Sequence, residues 1–158
     1  MVTRWRQWRH TYMRTLTIAA TIFLVTFPTV ARDHNILNGT WTLIPTQSDF
    51  AGQPVIQTGT VTISDREGSV VLARNFQYEG AHETFFYQQS LGNEDNSTIR
   101  SGKELKTKTK WEHDVLTVTT TQPGNVTVES YHLAPDGTMT ANVEIPGHPP
   151  ITLHFKRQ

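Results

Sequence analysis

The chain of 158 residues contains no cysteine. This absence excludes disulfide bonds, thiolate metal sites and a cysteine nucleophile. The sequence also lacks the phosphate-binding patterns GxxxxGK[ST] and GxGxxG and the GxSxG nucleophile elbow. Its histidines beyond residue 31 do not show the i, i+2 or i, i+4 spacing of a local metal site. We therefore expect no metal and no cofactor, and an enzyme of unrecognised type ranks third among the functional classes considered below.

Extended apolar segments are scarce, and the main one, LTIAATIFLVTF, occupies residues 16–27. Four arginines and no acidic residue precede it, and the small residues 29–31 follow. These are the three parts of a cleaved secretory signal. A membrane-spanning helix needs about 20 apolar residues, so an uncleaved anchor is the weaker alternative. We predict a signal peptide with a signal helix over 1–31, cleavage near Ala31, and export to the periplasm or the extracellular space.

The remainder of the chain is mildly acidic. Four of the 14 basic residues lie in 1–31, which leaves ten basic against 14 acidic residues and a net charge of −4 with histidine neutral. Such a balance gives no electrostatic reason to bind nucleic acid. About 127 residues suffice for one hydrophobic core and hardly for two. We predict a short linker over 32–38 and one domain over 39–158.

Apolar and polar residues alternate with a period of two through most of this domain. The pattern is clearest at 39–43, 60–64, 105–111, 138–145 and 151–156, where β-branched threonines are frequent. In the third of these segments every second residue is a lysine, which identifies one face as exposed to solvent. Strict alternation of this kind predicts half-buried strands.

Turn residues separate these strands at short intervals, as in Pro123-Gly124, Pro135-Asp136-Gly137 and Pro146-Gly147. We count nine strands, and Ser101-Gly102 divides the fifth into two in one alternative; both eight and ten strands fit the sequence. The prediction is an all-β, antiparallel up-and-down meander closed into a small barrel of about 8–10 strands, since closure removes exposed edges. A two-sheet sandwich is the structural alternative.

Gly39-Thr40-Trp41 resembles the Gly-x-Trp start of lipocalins and other calycins. The longer phrase GTWTLIPTQS (39–48), Trp111, the segment 129–140 and the closing Phe155-Lys156-Arg157 resemble a group of small secreted bacterial proteins with a lipocalin-like barrel and no established activity. The resemblance spans most of the domain and implies a lipocalin-like fold.

The resemblance also implies a structural plug at one end of the barrel. In calycins this tryptophan, here Trp41, packs under a basic side chain near the end of the last strand. Arg157 has the parity of Leu153 and Phe155 and therefore matches that position. A guanidinium on an indole face contributes roughly 0.5–2 kcal/mol. Nine strands would place the two residues at opposite ends, whereas one strand more or fewer brings them together.

Arg74 is the candidate ligand anchor. It lies on one strand face with Leu72, Phe76 and Tyr78, and an inward arginine is costly unless it is paired or hydrated. We predict that Arg74 binds a ligand carboxylate inside the barrel and that Tyr78 is a second donor. The alternatives are an outward face or a place at the rim. Trp111, a large residue on a predicted inward face, is a further candidate.

The strand at 126–133 allows two assignments. Either Val126, Val128 and His132 face inward, or Glu129 does together with Tyr131. A carboxylate is the more expensive group to bury, so we predict that His132 faces inward as a candidate ligand contact.

These observations favour an exported, non-enzymatic barrel that binds a small apolar or amphipathic molecule. The alternative is a module with a filled core that binds or inhibits an envelope protein. The run Phe85-Phe86-Tyr87 places aromatic side chains on both faces of its strand, and the outer face is the candidate contact surface. A cavity of at least about 300 Å³ would favour the first function.

Overall fold

The computed structural model describes residues 34–66, 68–92, 95–100 and 103–158. The predicted signal peptide over 1–31 lies outside the described residues. Within the segment predicted as a linker, His34–Leu37 forms a short 3₁₀ helix, and Pro45–Gln47 forms a second one after the first strand.

The domain is an antiparallel meander of ten strands. Their bounds are β1 Gly39–Leu43, β2 Ile56–Arg66, β3 Ser69–Tyr78, β4 Ala81–Ser90, β5 Asn96–Arg100, β6 Lys103–Glu112, β7 Val115–Gln122, β8 Asn125–Leu133, β9 Met139–Glu144 and β10 Ile151–Arg157. The all-β prediction is confirmed, and the ten strands match the alternative in which the fifth of the nine counted strands is two, here β5 and β6.

All ten strands belong to one sheet in the order β4-β3-β2-β1-β10-β9-β8-β7-β6-β5. β1 pairs with β10, which curls the sheet into a nearly closed barrel with β4 and β5 at its two edges. At one end of these edges the Asn96 amide spans the gap: its Oδ1 accepts from the Ser90 amide at 3.3 Å and its Nδ2 donates to the Ser90 carbonyl at 3.4 Å. Next to it, the Gly92 amide donates to the Thr109 carbonyl at 3.0 Å.

The even strand number places Trp41 directly opposite Arg157 in the β1–β10 register. Trp41 is fully buried, and its indole Nε1 donates to the Leu37 carbonyl at 2.8 Å. The Arg157 guanidinium lies 4.3 Å from the Trp41 ring centroid and donates to the carbonyls of Asn38 and Ile36 at 2.6 and 2.7 Å. The stacking that the resemblance implied is therefore present. We call this end of the barrel the plugged end.

The hydrophobic core fills the plugged half. Its largest fully buried side chains on strands are Trp41, Tyr131, Phe155, Ile63, Leu72, Leu116 and Met139. Trp41, Ile63, Met139 and Phe155 lie on the alternate-residue faces that the sequence pattern assigned to the interior. Dense packing here fixes the strands that carry the other half, which we call the open end.

Candidate functional site

A cavity of about 540 Å³ lies at the open end. Its apolar lining comes from four strands and the loop after the second 3₁₀ helix, namely Phe50, Ile56, Phe76, Val143, Ile151 and Leu153. The exposed residues Pro54, Glu79 and Ala81 form its rim. We call this space the apolar compartment. Its volume and lining are those of a small-molecule site.

A second cavity, of about 350 Å³, adjoins the first and has a different lining. Thr120, Gln122 and Thr127 supply neutral polar groups, and the exposed Lys103 lies at its edge. Phe85 and Leu105 complete its wall. We call it the polar compartment. The interior of the open end is thus apolar on one side and hydrophilic on the other.

Arg74 and Glu129 line both compartments. Arg74 Nη1 donates to Glu129 Oε1 at 2.7 Å, and the two side chains are 17% and 8% exposed. β3 and β8, which carry them, are separated by four strands along the sheet, so the ion pair crosses the barrel interior. Burial opposes the charge of Arg74, but the Glu129 carboxylate outweighs it and raises the pKa of the guanidinium well above its ordinary value. Arg74 is therefore a permanent, internally neutralised cation.

Two tyrosines surround this pair. The Tyr131 hydroxyl donates to Glu129 Oε2 at 2.8 Å, so Arg74 and Tyr131 each bind one oxygen of the same carboxylate. Burial and the nearby Glu129 charge raise the pKa of both Tyr131 and Tyr87 far above that of a free phenol. Both tyrosines therefore stay protonated and neutral.

Three buried polar atoms have no hydrogen-bond partner among the described residues, namely Tyr87 Oη, Gln89 Oε1 and Thr109 Oγ1, and their residues line neither compartment. Tyr87 and Gln89 alternate with exposed residues on β4, and Tyr87 packs against the core cluster. Phe85 lies on the same face, with the Arg74 guanidinium 5.1 Å from its ring centroid. Unsatisfied buried polar groups of this kind are few in folded proteins and call for an explanation.

Of the predicted ligand contacts, the structure brings Arg74 and Tyr78 together in the apolar compartment. Arg74 faces inward as predicted, but its carboxylate partner comes from the chain itself. The Tyr78 hydroxyl lies 3.5 Å from Glu83 Oε2 at the open end, and burial followed by the Glu83 charge raises its pKa. Tyr78 therefore contributes a neutral hydroxyl to the cavity.

Trp111 is not among the residues that line either compartment. Its indole Nε1 donates to Asp65 Oδ2 at 2.7 Å, and Asp65 also binds Asn38 next to the first 3₁₀ helix. Trp111 therefore lies at the plugged end, where it packs against the core.

The prediction that His132 faces inward is wrong. The buried face of β8 carries Glu129 and Tyr131, while His132 lies half-buried on the opposite face, across from Thr140 of β9. The cost of burying Glu129 is offset by Arg74 and Tyr131, which supply a cation and a hydroxyl to its two oxygens. Parity alone left both assignments open, and the partner of Glu129 decides between them.

Sequence reasoning therefore missed three residues of this cluster: Glu129, Tyr131 and Tyr87. A signal was available, because an inward Arg74 requires a carboxylate inside the barrel. Glu129 is the acidic residue that shares a strand face with an aromatic side chain, Tyr131, in the uncertain strand. The inward direction of Arg74 and that of Glu129 could therefore have been inferred together.

The described ranges contain no group of three or more histidine, aspartate or glutamate side chains that could hold a metal ion. In the same part of the chain, no helix has the length and apolar character needed to cross a membrane.

No protein-family model and no curated protein sequence matches the chain. Solved structures do. A Schistosoma mansoni fatty acid binding protein in complex with arachidonic acid matches with a TM-score of 0.61 and 18% identity, over 79% of this chain and 98% of the other. Secretory abundant heat soluble protein 4 from Ramazzottius varieornatus matches with a TM-score of 0.62 and 13% identity, over 78% and 96% of the two chains.

Echinococcus granulosus fatty-acid-binding protein 1 is similar as well, with a TM-score of 0.59 and 13% identity over 78% of this chain and 98% of the other. Identities this low establish the architecture rather than the activity. The described residues therefore form a ten-stranded β-barrel with a fold like that of fatty-acid-binding proteins, a calycin-like fold as the Gly-x-Trp start suggested.

Proposed function

We propose that this protein binds a small apolar or amphipathic molecule in the open half of its barrel and catalyses no reaction. The observation that carries the proposal is the apolar compartment of about 540 Å³, with a buried polar cluster at its inner boundary. A pocket with an apolar wall and a few fixed polar groups is the usual form of a small-molecule site. The similar structures include a fatty acid binding protein with arachidonic acid bound.

The division of the open end suggests how such a ligand is oriented. The hydrocarbon part would lie against Phe76, Ile151 and Leu153, where burial gains roughly 25 cal/mol for each Å² of apolar surface removed from water. The polar part would lie at the Arg74–Glu129 pair, where both compartments meet. Arg74 and Tyr78 remain candidate ligand contacts, and Glu129, which occupies the carboxylate position at Arg74, joins them.

Displacement of a neutral fluorescent apolar probe, N-phenyl-1-naphthylamine, tests the proposal. We expect saturable binding by the full chain and displacement by 12-carbon amphiphiles. Leu153→Arg places a long charged side chain in the wall of the apolar compartment and should abolish binding, whereas the exposed Val126→Arg on β8 is the matched control and should not. Absence of saturable probe binding by the unmodified chain would refute the proposal.

We further propose that the protein acts outside the cytoplasm, because residues 1–31 carry the pattern of a cleaved signal. Native mass spectrometry of protein purified from the periplasm or medium of an expressing bacterium tests both parts at once. The expected mass lacks the first 31 residues and includes a ligand that is lost from the Arg74→Ala variant. A ligand content unchanged in that variant would remove Arg74 from the site.

One observation favours binding of an envelope protein as a second candidate function. Phe86 is 66% exposed on β4, an edge strand, and borders a groove of about 460 Å³ between β4 and β5–β6. Cross-linking through a photoreactive residue at position 86 in intact cells would capture a partner if this edge is a contact surface. The exposed Gln57 on β2 is the matched control position.

A further inference from the structure

We infer that the cavity selects an apolar chain with a neutral head group that both donates and accepts hydrogen bonds, such as a hydroxyl or an amide, over a fatty carboxylate. The inference rests on the proposed function and narrows its ligand class. It follows from the charges and the neutral polar side chains that line the two compartments.

The buried cation, Arg74, is already neutralised. Glu129 Oε1 accepts from Arg74 Nη1 at 2.7 Å, and both groups are shielded from water. A ligand carboxylate at Arg74 would have to displace Glu129, which leaves a buried carboxylate without its cation, or lie beside it as a like charge. Both outcomes oppose binding of an anion.

The other charges that line the compartments lie at the surface. Glu79 at the rim of the apolar compartment and Lys103 at the edge of the polar compartment are both exposed, where water screens their charges. Among the residues lining the two compartments, no buried cation is left over for an anionic head group.

The polar groups left for a head group are neutral. Thr120, Gln122 and Thr127 line the polar compartment, and Tyr78 lines the apolar compartment. Hydroxyl and amide groups donate and accept hydrogen bonds, so a hydroxyl or amide head group can pair with them without breaking the Arg74–Glu129 pair. Hydrogen bonds of this kind favour binding.

The test compares three ligands of equal chain length on the full chain at neutral pH: 1-dodecanol, dodecanamide and dodecanoate. Each competes with N-phenyl-1-naphthylamine at submicellar concentration. We expect the alcohol and the amide to bind at least about tenfold more tightly than the carboxylate. Equal or tighter binding of dodecanoate by the unmodified protein overturns the inference.

Glu129→Gln should reverse the expected order of ligand affinities. The variant keeps the shape of the side chain but leaves the Arg74 charge without a carboxylate, so dodecanoate should gain at least about tenfold and become the preferred ligand. Glu112→Gln removes an exposed carboxylate of β6 and is the matched control, in which the original order should persist. A Glu129→Gln protein that still prefers the alcohol overturns the inference.

The double variant Arg74→Gln/Glu129→Gln covers the case in which the single variant does not fold, because it removes both charges and leaves no unpaired ion. It should discriminate against dodecanoate as the unmodified protein does, since no cation remains. A double variant that prefers dodecanoate overturns the inference. If the unmodified protein binds all three ligands equally, the proposed function stands while the inference fails. If it binds none of them and no probe, the proposed function fails.

Discussion

Arg74 and Glu129 meet at 2.7 Å across the interior of the barrel, from strands separated by four others along the sheet. Removing one partner of a buried pair leaves an uncompensated charge, which typically costs about 3–5 kcal/mol. We therefore expect Arg74→Met and Glu129→Met each to lower the free energy of unfolding by that amount in urea. The double variant should lose less than either single variant. A double variant that loses the sum of the two would show that the side chains do not interact.

The Trp41 plug gives a second prediction. Trp41→Ala removes a fully buried indole, its hydrogen bond to Leu37 and the surface on which Arg157 stacks, and should cost about 3–5 kcal/mol of unfolding free energy. A urea midpoint shift worth less than about 1 kcal/mol would show that Trp41 is not a core plug. Trp111→Ala is the comparison, with a smaller expected loss because Trp111 is only partly buried.

Because of two buried tyrosines, the stability of the folded protein should depend on pH in alkaline solution. Burial and the Glu129 charge raise the pKa of Tyr87 and Tyr131, so the folded protein holds these protons more tightly than the unfolded chain. The resulting stabilisation is fully present below about pH 10, the ordinary tyrosine value, and is lost as the pH rises toward the folded pKa.

Phenolate absorbance near 295 nm measures this directly. Of the three tyrosines in the described residues, Tyr87 and Tyr131 should ionise only when the protein unfolds in alkali. Tyr87→Phe should reduce this delayed group to one. Ionisation of Tyr87 and Tyr131 with ordinary midpoints would contradict the buried cluster.

Gly59 packs against Phe76, which lines the apolar compartment. A Cβ at this buried position would come within 2.5 Å of Phe76 Cδ1, so Gly59→Ala must push the Phe76 ring away. Overpacking of this kind costs about 1–3 kcal/mol. Because Phe76 lines the cavity, we expect weaker binding of N-phenyl-1-naphthylamine in this variant. Thr58→Ala, at the exposed neighbouring position, should change neither stability nor binding.

His132→Ala tests the corrected assignment of β8. Since His132 lies on the outer face, its removal should leave probe binding unchanged, whereas Tyr131→Ala should destabilise the protein because it empties a fully buried ring position and unpairs one oxygen of Glu129. Loss of binding in the His132 variant alone would restore it to the site.

The fold was predictable because strand alternation is a local property. Apolar residues at every second position indicate the buried face of a strand, and turns rich in proline and glycine separate the strands. The sequence alone did not determine the number of strands, because the boundary between β5 and β6 was ambiguous. Only an even number of strands brings Trp41 to Arg157. That contact was expected from a family resemblance rather than from spacing.

The candidate site was only half predictable. An inward Arg74 follows from its neighbours Leu72 and Phe76, but its partner lies 55 residues away on the far wall, and no local pattern links the two. The His132 prediction failed because the cost of burying Glu129 was weighed without that partner. The cavity itself depends on the summed volumes of inward side chains from many strands, which a pattern of alternation does not contain.

The gap between β4 and β5 has a mechanical consequence. Every other neighbouring pair of strands in the described barrel is joined by a backbone ladder, whereas here the Asn96 amide and a bridge at Leu91 hold the two edges at one end. Separating β4 from β5 therefore breaks only these few contacts. Separating any other pair of neighbouring strands breaks a complete ladder of backbone hydrogen bonds. Amide hydrogens along the facing edges of β4 and β5 should accordingly exchange with deuterium first. A ligand wider than the open end can enter where these two strands move apart.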